Sequence, residues 1–411
     1  MKNKLRVLLL STFAIITHFF RKIGLIKIAK TAVILPPASP GSLGDEVLVL
    51  SLCNELKKNE IEQVLILDQV KDNSWSYLNL IHSSYYFNNF SINMKDFISG
   101  IFLIWKIRSY RYFYCIGADT LDGFYGNWVS LTRLSIVRYA HRIGLLCTIT
   151  GFSYNENPTI ESVNALSELE PSIRVCVRDP ISYKRVTQIR KAIQVSDLAF
   201  LYEKVTNSSN ISETTFWIET QKIEGRSIMG VNLSPISIFK KTDIVSSILD
   251  ELSETLNRII ETTSTSLVFI PHDFREGNLS DRLIIENVIK GINSKFHVHF
   301  VNKHLLPEEI RSIASECDVA LSGRMHFSIA CFTQSIPVIS ISYQSKFSGL
   351  YEFFGLRNLE IANWTNQDDL CSQIEESILY IRDNKENIKN KIDSTLPLLK
   401  KISRDNIWAD L

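Results

Sequence analysis

No aspartate or glutamate precedes Asp45 in this chain, and no two of its seven cysteines are spaced as Cys-x-x-Cys. Without that spacing Cys53, Cys115, Cys147, Cys176, Cys317, Cys331 and Cys371 read as small hydrophobes, mostly inside apolar runs, and a reducing compartment is expected. Neither a Gly-x-Gly-x-x-Gly nor a Walker A loop occurs, and no solenoid repeat or low-complexity tract is found. Net charge is also nearly missing. With 45 Lys+Arg against 44 Asp+Glu the formal charge is +1, so nothing global points to nucleic acid or to an acidic polymer. What is present is 411 residues, 45% hydrophobic, 10% aromatic and 22% charged, a mix that excludes disorder, collagen and coiled coil and suits two or three folded domains.

The acid-free head carries Lys2, Lys4, Arg6, Arg21, Lys22, Lys27 and Lys30 around the apolar run 7–20. That run falls short of the ~20 apolar residues needed to cross a bilayer, because His18, Arg21 and Lys22 interrupt it. Phe19, Phe20, Arg21 and Lys22 follow it where a signal peptidase would need small residues, so cleavage is not expected. Three readings remain for residues 1–30: a helix packed on the protein's own surface, a helix lying on an anionic membrane face, with Leu25, Ile26 and Ile28 apolar and Lys27 and Lys30 toward lipid phosphate, or, with the least support, a true membrane anchor. The expected location is cytoplasmic, and under the membrane-face reading peripheral on the cytoplasmic membrane face.

From Thr31 onward short β-branched or apolar runs alternate with segments of helical period, the pattern of parallel sheets covered by helices. Strands are predicted at 32–35, 63–67, 111–116, 145–150 and 174–177, and again at 228–233, 266–270, 297–301, 319–321 and 338–342. The polar stretch 203–226 has no steady period and reads as a linker or as a strand with decorated loops, the linker being placed at 206–226. The expected organisation is an N-terminal helix over 1–30, a Rossmann-like domain over 31–205, the linker, a second Rossmann-like domain over 227–380 and a helical tail over 381–411, with a cleft between the two α/β domains. Asn-x-Ser/Thr sequons at Asn207 and Asn278 carry no weight without a secretory signal.

In open α/β sheets ligands bind beyond the carboxyl ends of strands, so the residues after each apolar run are the first candidates for a site. Gly41-Ser42-Leu43-Gly44-Asp45 follows the first strand; its glycines permit close backbone approach, while Asp45 could serve a substrate or cap the next helix. Gly117-Ala118-Asp119, with Asp122 beyond it, could orient sugar hydroxyls or cap a helix. Arg178-Asp179 with Ser182 could fork onto a carboxylate or phosphate, or form a local salt bridge and cap. Pro271-His272 places an imidazole at a strand end, for phosphate or for a backbone partner.

Ser322-Gly323-Arg324-Met325-His326 is the strongest. Arg324 and His326 converge only in the first irregular turn of a helix, at its electropositive end, where a guanidinium, an imidazole and uncapped N–H groups suit a small anion and the His can give a proton. Tyr343 and Lys346 follow the next strand and would line the same crevice.

The order Gly44-Asp45, Arg178-Asp179 with Ser182, Asp197-Leu198-Ala199-Phe200, Pro271-His272, Arg324-Met325-His326, and Pro337 with Tyr343 and Lys346 resembles the polysaccharide pyruvyl transferase family over about residues 31–360. The resemblance implies a fold similar to GT-B glycosyltransferases and transfer of pyruvate from phosphoenolpyruvate to a sugar as a ketal. It places Arg178, Arg324, Met325 and His326 around phosphoenolpyruvate. One departure stands out: Gly117-Ala118-Asp119 occupies the place of the family's Gly-Gly-Gly or Gly-Gly-Ser turn, so the acceptor side is expected to differ.

The expected assignments are therefore His326 as general acid with Arg324 beside it, and Arg178, Met325, Gly44, Asp45, Asp119, His272, Tyr343 and Lys346 as substrate contacts. No metal ligand and no cofactor beyond phosphoenolpyruvate as donor are expected; the acceptor would be an oligosaccharide or lipid-linked glycan. Two rivals predict different ligands: a GT-B glycosyltransferase would bind a nucleotide sugar, and a silent scaffold would bind neither.

Overall fold

Apolar runs of four to seven residues without polar alternation bury both faces of a strand, and such strands pair in parallel between helical layers. The structure, a computed structural model, describes residues 2–408 apart from 62, 69–74, 76–81, 87–93, 206–207, 240–244, 276–279, 344, 363 and 365. The sequons at Asn207 and Asn278 lie outside the described residues.

The first series comprises α1 (Lys2–Lys22), β1 (Ala32–Leu35), α2 (Leu43–Lys58), β2 (Val64–Asp68), β3 (His82–Tyr86), α3 (Met94–Ile107) and β4 (Tyr112–Ala118). It continues with α4 (Asn127–Arg142), β5 (Leu146–Phe152), α5 (Ile160–Ser167), β6 (Arg174–Val177), α6 (Pro180–Val186) and β7 (Ile193–Gln194). Its seven strands form one sheet in the order β3-β2-β1-β4-β5-β6-β7, every pair parallel.

The second series opens with α7 (Ser212–Ile223), β8 (Ser227–Asn232), α8 (Pro235–Phe239), α9 (Val245–Thr262), β9 (Thr265–Phe269), α10 (Asp281–Gly291), β10 (Val298–Phe300) and α11 (Pro307–Ala314). It closes with β11 (Val319–Ser322), α12 (Met325–Phe332), β12 (Val338–Ile341), α13 (Ser345–Phe354), β13 (Glu360–Ile361) and α14 (Gln367–Arg404). The six strands run β10-β9-β8-β11-β12-β13, again all parallel.

Every strand expected from the sequence is present, β1 and β6 with the expected bounds and the rest displaced by one or two residues at an end. The three that were not expected, β3, β7 and β13, are all edge strands; two of them are two residues long and the third, His-Ser-Ser-Tyr-Tyr, lacks an aliphatic run.

Two compact units result: residues 1–40, 48–198 and 401–411, and residues 41–47 with 199–400. The boundaries depart from those expected in three places. The polar stretch read as a linker holds α7, which buries Thr214, Ile218 and Gln221 at helical spacing within the second unit. Two polar residues on that buried stripe hid the period. The tail read as separate from 381 is part of one long helix from Gln367, with a single non-helical residue at Asn384.

Its last turn belongs to the first unit. There Gly151 N donates to Asn406 Oδ1 (2.6 Å), Asn406 Nδ2 to Ser196 O (3.1 Å) and Ser403 Oγ to Asp197 O (2.9 Å). Finally, the segment 41–47 carries the first turn of α2 but groups with the second unit, through the antiparallel bridge Ser42–Asp273 and the bonds Leu43 N to His272 O (3.0 Å) and Phe274 N to Gly41 O (2.8 Å).

Both sheets reverse direction of growth once, between β1 and β4 and between β8 and β11, and such switch points open a crevice at the strand ends. In the first unit Arg133 of α4, 2% exposed, closes that point from within, donating to Pro36 O (2.8 Å), Ile116 O (2.7 Å) and Pro37 O (3.3 Å). At the second unit's switch point stand Asn232, Gly323 and Arg324.

Candidate active site

At the end of β8 stands Asn232, fully buried; its carbonyl accepts from Gly323 N (2.8 Å), and its Nδ2 donates to Ile270 O (2.9 Å) and to Asp281 Oδ2 (3.1 Å). Asn232 thereby ties the ends of β8, β9 and β11 to the start of α10. Gly323 is required here by space: a Cβ would lie 2.7 Å from Ser234 N and from Ser237 Oγ, the residues that open α8.

Arg324 follows as the residue flanking α12, with extended backbone (φ −124°) and no side-chain cap on the helix. Its guanidinium turns to two buried carboxylates instead. Nε and Nη2 donate to Asp281 Oδ1 (3.1 and 2.7 Å), and Nη1 lies 3.4 Å from Asp273 Oδ2. Asp281 completes its shell with the backbone N–H groups of His272 (3.0 Å) and Asp273 (3.1 Å), and Asp273 also holds Arg275 through Nε (2.9 Å). Burial alone would pull the Arg324 pKa down, but Asp281 and then Asp273 outweigh it and hold it above its ordinary value. Two arginines and two aspartates thus cancel in net charge at the base of the site.

His326 is half-buried in the first turn of α12, packed on the first turn of α2. A Cβ at Gly44 would sit 2.4 Å from His326 Nδ1, so only glycine admits the imidazole there. Met325, between Arg324 and His326, is 5% exposed and packs inward. His272 is also buried (5%), edge-on to Phe327 with ring centres 6.2 Å apart; burial first, then His326 and Arg324, push its pKa well below 6.5, so it is neutral. Tyr343 lies close enough to Arg324 to influence its charge, and Lys346 Nζ sits 4.7 Å above the Tyr343 ring.

Asp45 is half-buried, its N–H bonded to Ser42 O (3.0 Å), and Glu46 beside it is fully buried, accepting from Gly41 N (2.8 Å) with His304 Nε2 at 3.8 Å. The second unit therefore gathers Gly44, Asp45, His272, Arg324, Met325 and His326, with Tyr343 and Lys346 along the next strand end.

Arg178 and Asp119 belong to the first unit. Arg178, expected to clamp an anion, is 4% exposed and already committed: Nη1 donates to Asp197 Oδ2 (2.8 Å) and Nε to Ser153 Oγ (2.9 Å). Asp179 caps α6, accepting from Ser182 N (2.7 Å), and also takes Ser153 Oγ (2.9 Å). The Arg-Asp…Ser and Asp-Leu-Ala-Phe pieces thus meet in one buried network. Asp119 is half-buried and accepts from Tyr125 OH (3.2 Å), whereas Asp122 is buried, accepts from Phe124 N (2.9 Å) in its own turn and from Asn155 N (3.1 Å) in the loop after β5.

Asn232 and Asp281 stand outside the motifs read from sequence, and Glu46 and Asp273 stand within them without an assigned role. Asp281 follows Ser280 at a helix start and is indistinguishable there from a first-turn acid; only folding brings it against Arg324. Among the described residues no group of three or more His, Cys, Asp or Glu is placed to hold a metal ion.

Solved structures similar to this chain include UDP-GlcNAc 2-epimerase from Methanocaldococcus jannaschii, at 12% identity and TM-score 0.54, covering 84% of this chain and 92% of that one. The UDP-GlcNAc-bound 2-epimerase of Neisseria meningitidis aligns at 11% identity and TM-score 0.54 over 92% and 98% of the two chains. Phytolacca americana UGT2, solved with UDP-2-fluoro-glucose and pterostilbene, aligns at 10% and 0.55 over 92% and 95%. At such identities the likeness is one of fold, the GT-B arrangement of two parallel sheets with flanking helices. A search of curated protein sequences found no match. The family model of polysaccharide pyruvyl transferase matches residues 43–345, from the first turn of α2 to the start of α13, a range that holds all of the constellation above except Lys346; the chain belongs to the polysaccharide pyruvyl transferase family.

Proposed function

We propose that the chain transfers pyruvate from phosphoenolpyruvate onto two hydroxyls of one sugar in a glycan, as a ketal, with release of phosphate. The observation that carries this reading is the placement of His326 in the first turn of α12, held against Gly44 beside the Arg324–Asp281 pair, in a chain of this family.

The chemistry needs a proton on the methylene carbon of the donor, which develops an oxocarbenium-like centre at the adjacent carbon. His326 supplies that proton. One sugar hydroxyl then adds, phosphate leaves, and the second hydroxyl closes the ring. Of the two hydroxyl protons, one restores His326 and the other leaves with phosphate, so no net proton is consumed.

Because Arg324, Arg275, Asp273 and Asp281 cancel in charge, positive potential for the anionic donor must come from His326 when protonated, from Lys346, and from the electropositive start of α12. Arg324 contributes mainly by fixing that helix start. Arg178 acts in this reading as a strut within its own unit, not as a clamp. Asp45 and Asp119 are proposed for the acceptor hydroxyls, and the acceptor is an oligosaccharide or lipid-linked glycan.

The test is to incubate purified protein with phosphoenolpyruvate and a panel of oligosaccharides, following phosphate release and the mass of the glycan. Pyruvate addition together with phosphate, and thermal protection by phosphoenolpyruvate, is the expected result. Protection by UDP- or GDP-sugars with none from phosphoenolpyruvate would overturn the donor and favour glycosyl transfer.

A further inference from the structure

We propose that the outward faces of α1 and α3 together form a docking surface for an anionic lipid bilayer. The inference is independent of the donor assignment.

α1 is fastened to the first unit along one stripe, where Leu10, Ala14, Thr17 and Arg21 are buried at spacings of four, three and four. Arg142 Nη1 donates to Ser11 Oγ (2.9 Å), and the Arg21 guanidinium is used up on the carbonyls of Arg108, Tyr110 (2.9 Å) and Gly144 (3.1 Å). A helix held this way ordinarily turns polar residues outward. This one turns out Leu8 (61% exposed), Ile15 (61%) and Phe19 (56%). α3, which packs beside it, does the same with Ile98, Phe102 (59%) and Trp105 (56%), again one helical stripe. Two neighbouring apolar stripes facing water mark an interaction surface.

Charge decides what covers it. No acidic residue occurs before Asp45, and Lys22 and Lys27 are exposed at the end of the α1 stripe. There a groove of about 480 Å³ is lined by Phe20, Leu25, Ile26, Lys27, Trp105 and Arg108. An apolar floor with cations at the rim matches a phospholipid, acyl chain inward and phosphate on the cations, and Trp105 suits the headgroup level. A second copy of the chain would bring the same lysines against each other. Among the described residues no helix is long and apolar enough to cross a membrane, so the contact is one of lying on the surface.

The experiment is flotation of the full chain with vesicles of phosphatidylcholine alone or mixed with phosphatidylglycerol. Binding to the anionic vesicles should exceed that to neutral ones by about tenfold or more, and fall as salt is raised. Phe19→Asp with Phe102→Asp, and separately Lys22→Glu with Lys27→Glu, should abolish flotation while leaving the melting temperature unchanged, since all four side chains are exposed. A wild-type chain that stays unbound with anionic vesicles, or variants that float as well as it does, would overturn the proposal. So would a wild-type dimer that the double Asp variant converts to monomer, which would assign the face to self-association.

Discussion

Gly44 and His326 come from segments 282 positions apart and meet so closely that a methyl group on the first would lie 2.4 Å from Nδ1 of the second. In most helices Gly→Ala stabilises by about 0.4–1 kcal/mol. Here Gly44→Ala must move the imidazole, and a displacement near 1 Å costs about 10²-fold in rate. The expected variant is folded and melts close to wild type, with kcat in pyruvyl transfer strongly reduced; unchanged kcat would remove His326 from the chemistry or show that its position is uncritical.

His326→Ala should lower kcat by about 10²-fold or more while phosphoenolpyruvate still protects the protein against heating. Loss of protection with kcat preserved at saturating donor would instead make His326 a binding group.

The Arg324–Asp281 pair gives a sharper split. Both groups are largely buried, so Asp281→Asn leaves a guanidinium short of charge and should cost about 3–5 kcal/mol, read as a fall in the denaturation midpoint. Arg324→Lys, which keeps the charge but not the forked geometry, should raise KM for the donor more than it lowers stability. A double-mutant cycle on the two residues with no coupling would show that the pair does not organise the helix start.

His272 makes stability depend on pH. Its folded pKa is depressed by burial and by the neighbouring His326 and Arg324, so below the ordinary 6.5 the unfolded chain takes up a proton that the fold refuses. Stability should therefore be full above that value and decline as pH falls below it, by up to about 1.4 kcal/mol per pH unit for this group. His272→Phe, which keeps a ring against Phe327, should flatten that part of the profile; an unchanged slope would assign the loss to other groups.

Arg178→Ala should destabilise the first unit by about 3–5 kcal/mol, because it leaves the Asp197 carboxylate buried without its ion pair. Replacing both by apolar residues of similar size, Arg178→Met with Asp197→Leu, should recover much of the loss. If the double variant is stable but phosphoenolpyruvate no longer protects it, Arg178 is a donor contact after all and the strut assignment fails.

Nine of the ten strands read directly are central, short apolar runs that are mostly buried, and that pattern survives without knowledge of the neighbours; the tenth, β10, is a half-buried edge strand. Edge strands β3, β7 and β13 escaped because two of them are only two residues long and β3, His-Ser-Ser-Tyr-Tyr, has no aliphatic run. Helix α7 escaped because Thr214 and Gln221 share its buried stripe with Ile218. For the site, Gly44, Arg324 and His326 were legible as unusual residues at strand ends, while the role of Asp281 was not, since an acid in a first turn looks the same whether it caps a helix or holds an arginine, and Asp273, in the loop after β9, meets Arg324 only through the fold.

The order of apolar and polar residues by itself determined two parallel α/β sheets, the strand ends where chemistry would stand, and a basic head too short to span a bilayer. Tertiary structure alone decided that Arg178 spends its charge on Asp197, that Arg324 is neutralised by two buried carboxylates, and that α1 presents leucine, isoleucine and phenylalanine to solvent beside those of α3. The reason is physical: periodicity is a property of consecutive residues, whereas the pairing of a charge or the covering of a face depends on residues brought together from distant parts of the chain.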